Sequence, residues 1–271
     1  MEALSRHWGT EITGHFSRAL GSVAPRALHF AVSKFFSKLF ETPFSKSFIL
    51  PYAWYQYKDR SYLSRFAPAS GMVKYQSFQD FFTRALQKPV TDVLPFVWPC
   101  EGTLCESSAV NPGMKTLVKG DKRYIEVIFD EPQGSIPNSY YFTNVFLHNK
   151  NYHRIHCPVS GTVESIRRLP GKLFFLRPRL NGNMPSFPAI YNERVNVRLK
   201  DNQNRNWYIS IVGGPGVATV QLAKGLVAGT TIRAGQEMAI FKLGSTCCMA
   251  APLPPSVRVG TSIEVGSKYD L

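Results

Sequence analysis

The 271-residue chain carries 32 Lys and Arg against 18 Asp and Glu, a formal charge of +14. A hydrophobic content of 44% with 13% aromatics is that of a packed globule and excludes a disordered chain. The length allows one large domain, or a core with a smaller appendage. Excess positive charge attracts polyanions, and the two abundant ones are nucleic acid and anionic membrane. No zinc-finger or RNP-type motif supports a nucleic-acid partner.

Residues 1 to about 45 read as helical. Leu4, Trp8, Ile12, Phe16 and Leu20 recur every four residues, and Pro25 stands where a new helix can start. Leu28, Val32, Phe35, Phe36, Leu39 and Phe40 then follow helical spacing, with Arg26, Lys34 and Lys38 between them. This basic amphipathic pattern suits a helix lying in a membrane interface. Neither a secretory signal nor an uninterrupted apolar span of about 20 residues is expected, so membrane contact is read as peripheral. Residues 46–76 look like an irregular connection. Ser77 then opens a short helix in S-F-Q-D, a capping-box spacing to Asp80, expected to carry Phe78, Phe81, Phe82 and Leu86.

From about Asp92 onward short β-prone runs alternate with turns. They are Tyr124–Phe129, Tyr140–Leu147, Gly161–Ile166, Arg194–Leu199, Trp207–Val212, Val217–Leu222 and Met238–Phe241. The fold class expected is α+β: N-terminal amphipathic helices over 1–90, a membrane-associating region, then a mostly β core over 91–271.

Cys100, Cys105, Cys157, Cys247 and Cys248 contain no C-x-x-C pair. An odd count without regular spacing argues against a disulfide framework or a zinc site, and for buried thiols in a reducing, cytosolic-side location. His153 and His156 lie three apart, but no third ligand is evident and no metal is expected. Gly244-Ser245 lacks the G-x-S-x-G nucleophile elbow, which disfavours an ordinary α/β-hydrolase.

Taken together and in order, several segments resemble the phosphatidylserine decarboxylase family. Phe78-Gln79-Asp80-Phe81-Phe82-Thr83-Arg84 resembles F-N-x-F-F-x-R, Pro99-Cys100-Glu101-Gly102 resembles P-A-D-G, and Val118-Lys119-Gly120 with Tyr124 resembles V/A-K-G-x-x-Y. Tyr152-His153-Arg154-Ile155-His156-Cys157-Pro158 matches Y-H-R-x-H-x-P, Asn192-Glu193-Arg194-Val195 matches N-E-R-V, and Gly235 to Thr246 matches the G-x-E block ending in G-S-T. The similarity runs from about residue 75 to 250.

The resemblance implies a self-cleaving proenzyme that converts phosphatidylserine to phosphatidylethanolamine and CO2. Decarboxylation leaves electrons on Cα and needs an electron sink. In this family the sink is a pyruvoyl group made from the chain's own serine, whose ketone condenses with the substrate amine in a Schiff base. By similarity Ser245 is the precursor and Gly244–Ser245 the bond cut, giving a β chain of 1–244 and an α chain of 245–271. His156 would take the hydroxyl proton of Ser245, and Glu101 would orient the imidazole. His153 would sit near the substrate as positioner or proton donor, and Phe146 would line the pocket. The partners implied are a phospholipid substrate, an anionic membrane surface met peripherally on the cytoplasmic side, the two chains held together, and a second copy in a homodimer.

The sequence departs from the family where Glu101 replaces aspartate, where Leu147-His148-Asn149-Lys150-Asn151 replaces L-S-P-x-D, across Val212–Thr219, and at Ala239 in place of glycine. Three rival readings stay open: a soluble amino-acid decarboxylase of the same chemistry, a non-processing membrane-binding pseudoenzyme, and a serine hydrolase using Glu101, His156 and Ser245.

Overall fold

The computed structural model describes residues 26–90, 94–110, 115–118, 121–172, 185–214, 220–242 and 245–271. The expected helix through Leu4–Leu20, Pro25, Lys119-Gly120, the 215–219 stretch and Leu243-Gly244 lie outside the described residues.

Helix α1 (Arg26–Glu41) leads into a 3-10 turn (Pro43–Phe48) and helix α2 (Ile49–Gln56). A second 3-10 turn (Arg60–Arg65), strand β1 (Phe66–Ala67), helix α3 (Phe78–Phe82) and strand β2 (Ala85–Leu86) complete this helical lead. The expected irregular connection over 46–76 is therefore largely helical up to Arg65. Pro51 masks the helix in the sequence, yet it falls in the first turn of α2, where the missing N–H has no helical acceptor in any case. The Ser77 cap forms as read, its hydroxyl accepting from Asp80 N at 3.1 Å. The buried Asp80 carboxylate accepts from Ser70 N and Gln76 N, and so ties down the preceding loop. Leu86 is not on that helix: α3 stops at Phe82, and Leu86 pairs with Phe66 across β1 and β2.

The remainder is mostly β. It comprises β3 (Gly102–Ala109), β4 (Lys115–Val118), β5 (Asp121–Tyr124), α4 (Glu126–Phe129), β6 (Tyr141–Leu147), β7 (Arg154–His156), β8 (Gly161–Leu169) and α5 (Phe187–Tyr191). It continues with β9 (Arg194–Asp201), β10 (Asn206–Gly213), β11 (Val220–Leu222), β12 (Thr231–Ile232), β13 (Glu237–Phe241), β14 (Ser245–Ala251) and β15 (Ser262–Ile263). The α+β class expected from the sequence pattern is the one observed. The strand expected over Tyr124–Phe129 is instead the last residue of β5 followed by α4. Ile125, Ile128 and Phe129 share one face at helical spacing and are buried, and Asp130 ends the turn in the left-handed region at φ 59°.

One antiparallel sheet of eight strands runs β12-β8-β9-β10-β14-β6-β3-β15, and a second runs β11-β13-β7. Alternation along the strands creates two cores. From β10, Trp207, Ile209 and Ile211 enter a core shared with Ile155 of β7 and with Met238 and Phe241 of β13. Tyr208 and Val212 point the other way, into a second core closed by Ile125, Ile128 and Phe129. Strand β14 divides likewise, with Cys247, Met249 and Ala251 in the first core and Cys248 and Ala250 in the second. Cys100, Cys157, Cys247 and Cys248 are buried free thiols, and Cys105 is a half-buried one. Burial pushes the Cys157 thiol up to about 12.

Candidate active site

The chain passes from the smaller sheet to the larger one over residues 242–244, next to the serine singled out in the sequence. Strand β13 of the smaller sheet ends at Phe241, and β14 of the larger sheet starts at Ser245, between Leu147 of β6 and Gly213 of β10. The connector between them is held at its near end by two bonds. Phe241 N donates to the carbonyl of His153 at 2.9 Å, and Gln79 Nε2 donates to the carbonyl of Lys242 at 2.9 Å. Segment 77–84 thus acts as a clamp. Arg154, beside His153, adds to it by donating to the carbonyls of Thr83 and Arg84 and pairing with Glu237 at 2.7 Å.

The two histidines have different surroundings. His156 Nδ1 lies 2.7 Å from the carbonyl of Gly235, so Nδ1 carries the proton, and Nε2 accepts from the Tyr152 hydroxyl at 3.0 Å. Gly235 can present that carbonyl because it sits at φ +78°, with Val90 within 2.6 Å of where a Cβ would stand. His153 Nδ1 donates to the carbonyl of Asn151 at 2.8 Å, while its buried Nε2 has no hydrogen-bond partner among the described residues. The His153 ring packs on Phe82 at 4.1 Å. Burial holds the His153 imidazole down to about 3 and lowers that of His156, so both are neutral bases at pH 7. A neutral imidazole with one ring N–H already donating leaves a bare lone pair on the other nitrogen, and at His153 that lone pair is unused.

Glu101 is buried at the start of β3. Its Oε1 accepts from Tyr62 at 2.5 Å and from Asn151 Nδ2 at 2.6 Å, and its Oε2 has no partner. The hydrogen bonds of Glu101 therefore run to Tyr62 and Asn151, whereas those of His156 run to Gly235 and Tyr152. Asn151 connects Glu101 to His153, because its side chain serves the one and its carbonyl the other. Gly102 follows Glu101 because the strand passes so close to β6 that a Cβ would lie 2.4 Å from the carbonyl of Phe146. Phe146 lies in the second core, its ring edge-on to His148 at 4.7 Å.

Behind Glu101 stands Arg84, fully buried and without a salt-bridge partner among the described residues. Its guanidinium donates to the carbonyls of Lys150 and Asn151 and lies over the ring of Phe66 at 4.6 Å, with Tyr57, Tyr62 and Phe81 also around it. Carbonyl dipoles and aromatic faces stabilise the cation here and fix loop 148–151. A cleft of about 450 Å³ opens beside this network between Tyr57, Lys58, Tyr62, Glu101 and Lys150, with Tyr55 at its edge. Sequence reading missed Tyr62 altogether. No spacing signal links a tyrosine in a turn to a carboxylate 39 positions on.

Residues 78–269 match the phosphatidylserine decarboxylase family. The chain belongs to this family. A phosphatidylserine decarboxylase proenzyme of Acinetobacter baylyi is 31% identical over 196 residues, 66% of this chain and 68% of the relative. One from Hahella chejuensis is 33% identical over 199 residues, 66% and 67% of the two chains, and one from Shewanella denitrificans 31% over 204 residues, 65% and 68%. The matched span contains Gln79, Thr83 and Arg84 of the clamp, Glu101, both histidines and the β13–β14 junction.

Proposed function

We propose that the chain is a proenzyme that cuts its own Gly244–Ser245 bond and then decarboxylates phosphatidylserine at a membrane surface. As a member of the family it is a carboxy-lyase acting on phosphatidylserine. The observation that carries the self-processing reading is the junction itself. Ser245 opens a strand of one sheet with three residues between it and the end of a strand of the other, and Phe241 at that end is bonded to the carbonyl of His153.

In the cut, the Ser245 oxygen attacks the Gly244 carbonyl carbon and a neutral imidazole receives the hydroxyl proton. Transfer of the acyl group from nitrogen to oxygen gives an ester. Elimination breaks the Cβ–O bond and releases the 1–244 carboxylate. One water then replaces the nitrogen, which leaves as ammonia, and the 245–271 chain begins with a pyruvoyl group. The junction fits this prosthetic group, since a serine heads β14, whose following residues Thr246, Cys247, Cys248 and Met249 are all buried. A pyruvoyl ketone supplies the electron sink that decarboxylation requires. His156 is the base assigned by family resemblance, with Glu101 as orienting acid. A second reading has His153 as the base, and the unpartnered Nε2 of His153 favours it: His156 would first have to give up its bond from Tyr152.

Membrane association is read from the helical lead. Phe44, Leu50, Trp54 and Tyr55 are exposed on and beside α2, while Lys34, Lys38 and Lys46 supply positive charge nearby. Among the described residues no helix is long and apolar enough to cross a membrane. The cleft beside Glu101 has Tyr55 at its edge, so docking by this face would bring a head group to the site.

The test is release of CO2 from phosphatidylserine vesicles by purified protein, with Ser245→Ala beside it. Activity in the first and none in the second supports the proposal. Equal activity in both would remove Ser245 from the chemistry.

A further inference from the structure

On the opposite face of the sheet from the histidines, a buried polar chain ends one residue from the proposed cleavage bond. The Thr246 hydroxyl lies 2.7 Å from Asn144 Oδ1 and 2.7 Å from the carbonyl of Val145. Asn144 Nδ2 donates to Ser186 Oγ at 3.0 Å, and Ser186 Oγ donates to Glu106 Oε2 at 2.5 Å. Thr246, Asn144 and Ser186 are all buried, among the aromatic and aliphatic side chains of the second core.

The register explains the arrangement. Asn144 of β6 pairs with Glu106 on one side and with Cys248 on the other, so Thr246, two residues before Cys248, is its diagonal neighbour on the same face. A bulge at Leu104/Glu106 in β3 brings Glu106 into this row. Ser186 enters from the turn that precedes α5. Four polar side chains from four segments are thus joined in an otherwise apolar layer, where an unmade bond would be costly. Thr246 needs none of this to pair as a strand residue, since its backbone is already in the β10 and β6 ladders. The added bonds fix its rotamer and, through it, the backbone at the head of β14.

The geometry points to Thr246, Asn144, Ser186 and Glu106 as a positioning chain for self-cleavage. They hold the amide between residues 245 and 246, and hence Ser245, in the orientation from which its oxygen reaches the preceding carbonyl. Each of the four is assigned a positioning role and acts through its neighbour. This inference rests on the self-processing reading above.

The experiment follows the time course of cleavage by intact mass after cell-free synthesis of the full chain. Wild type, Thr246→Val, Thr246→Ser and Asn144→Leu are compared. Valine keeps the shape of threonine without the hydroxyl, and serine keeps the hydroxyl without the methyl. Thr246→Val and Asn144→Leu are expected to slow cleavage by about tenfold or more, while Thr246→Ser stays within about threefold of wild type, since small misplacement of reacting groups costs large rate factors. The same changes in a Ser245→Ala chain report folding separately, and their melting midpoints are expected to differ by only a few degrees. Wild-type rates for Thr246→Val, or equal slowing by valine and serine, would overturn the inference while leaving the self-processing reading intact. Slowing that only tracks loss of the folded Ser245→Ala form would overturn it as well. An uncleaved wild-type chain would overturn the self-processing reading and the inference with it.

Discussion

At the residue scale, the site is a contrast between two histidines three positions apart. His156 has both ring nitrogens occupied, and His153 has one bare. Replacing each by alanine separates their roles. Whichever is the base of self-cleavage leaves an uncut chain of full mass, and whichever serves only the substrate leaves a cut chain with lowered turnover. Both are buried neutral, with imidazoles lowered from the ordinary value near 6.5 and that of His153 down to about 3. The unfolded chain therefore binds more protons than the folded one between those values. The stability contributed is complete above about pH 6.5 and is lost as the pH falls toward 3, with a slope of up to about 1.4 kcal/mol per pH unit for one such group. In a Ser245→Ala chain, denaturant midpoints measured from pH 7.5 to 5 are expected to fall, and His153→Gln to flatten the decline. An unchanged slope would mean that His153 is not buried in this way. Glu101 shows how much of the site a sequence can carry. Its place in Pro99–Gly102 is legible from the motif, but its partner Tyr62 is not, because the bond joins a turn to a strand through the tertiary fold alone. Tyr62→Phe removes one of the two bonds to Oε1 and is expected to slow self-cleavage severalfold, read by intact mass.

At the element scale, the strands with alternating aromatic and β-branched residues were legible: β6, β8, β9, β10 and β13 lie where the pattern puts them. The strand that matters most does not announce itself. Ser245–Ala251 reads S-T-C-C-M-A-A, small residues without alternation, because β14 is buried on both faces in the middle of the larger sheet. Helix α2 was hidden by its proline, and α4 by β-branched residues that pack as one helical face. The central position of β14 has a consequence after cleavage. In the cut chain we propose, residues 245–271 would stay paired to β10 and β6 through β14 and to β3 through β15. The two chains are expected to co-elute in gel filtration under native conditions and to separate only in denaturant. Dissociation of the small chain in native buffer would contradict this topology.

At the scale of the whole molecule, the helical lead clamps the β13–β14 junction on one side and presents exposed aromatics on the other. The clamp is Gln79, Thr83 and Arg84, and the exposed face is Phe44, Leu50 and Trp54. Trp54→Ala is expected to weaken sedimentation with anionic vesicles by roughly tenfold, the worth of one large apolar side chain, while leaving self-cleavage unchanged. The basic charge was legible from composition, whereas the exposed aromatic face depended on knowing that 49–56 is helical. The most direct test of the account is the intact mass of the purified chain, with Ser245→Ala beside it. Two fragments meeting between residues 244 and 245, the smaller without a free N-terminal amine, and an uncut Ser245→Ala chain are the predicted result. A single full-length mass in both would contradict self-processing at this junction and leave the membrane-binding, non-processing reading in its place.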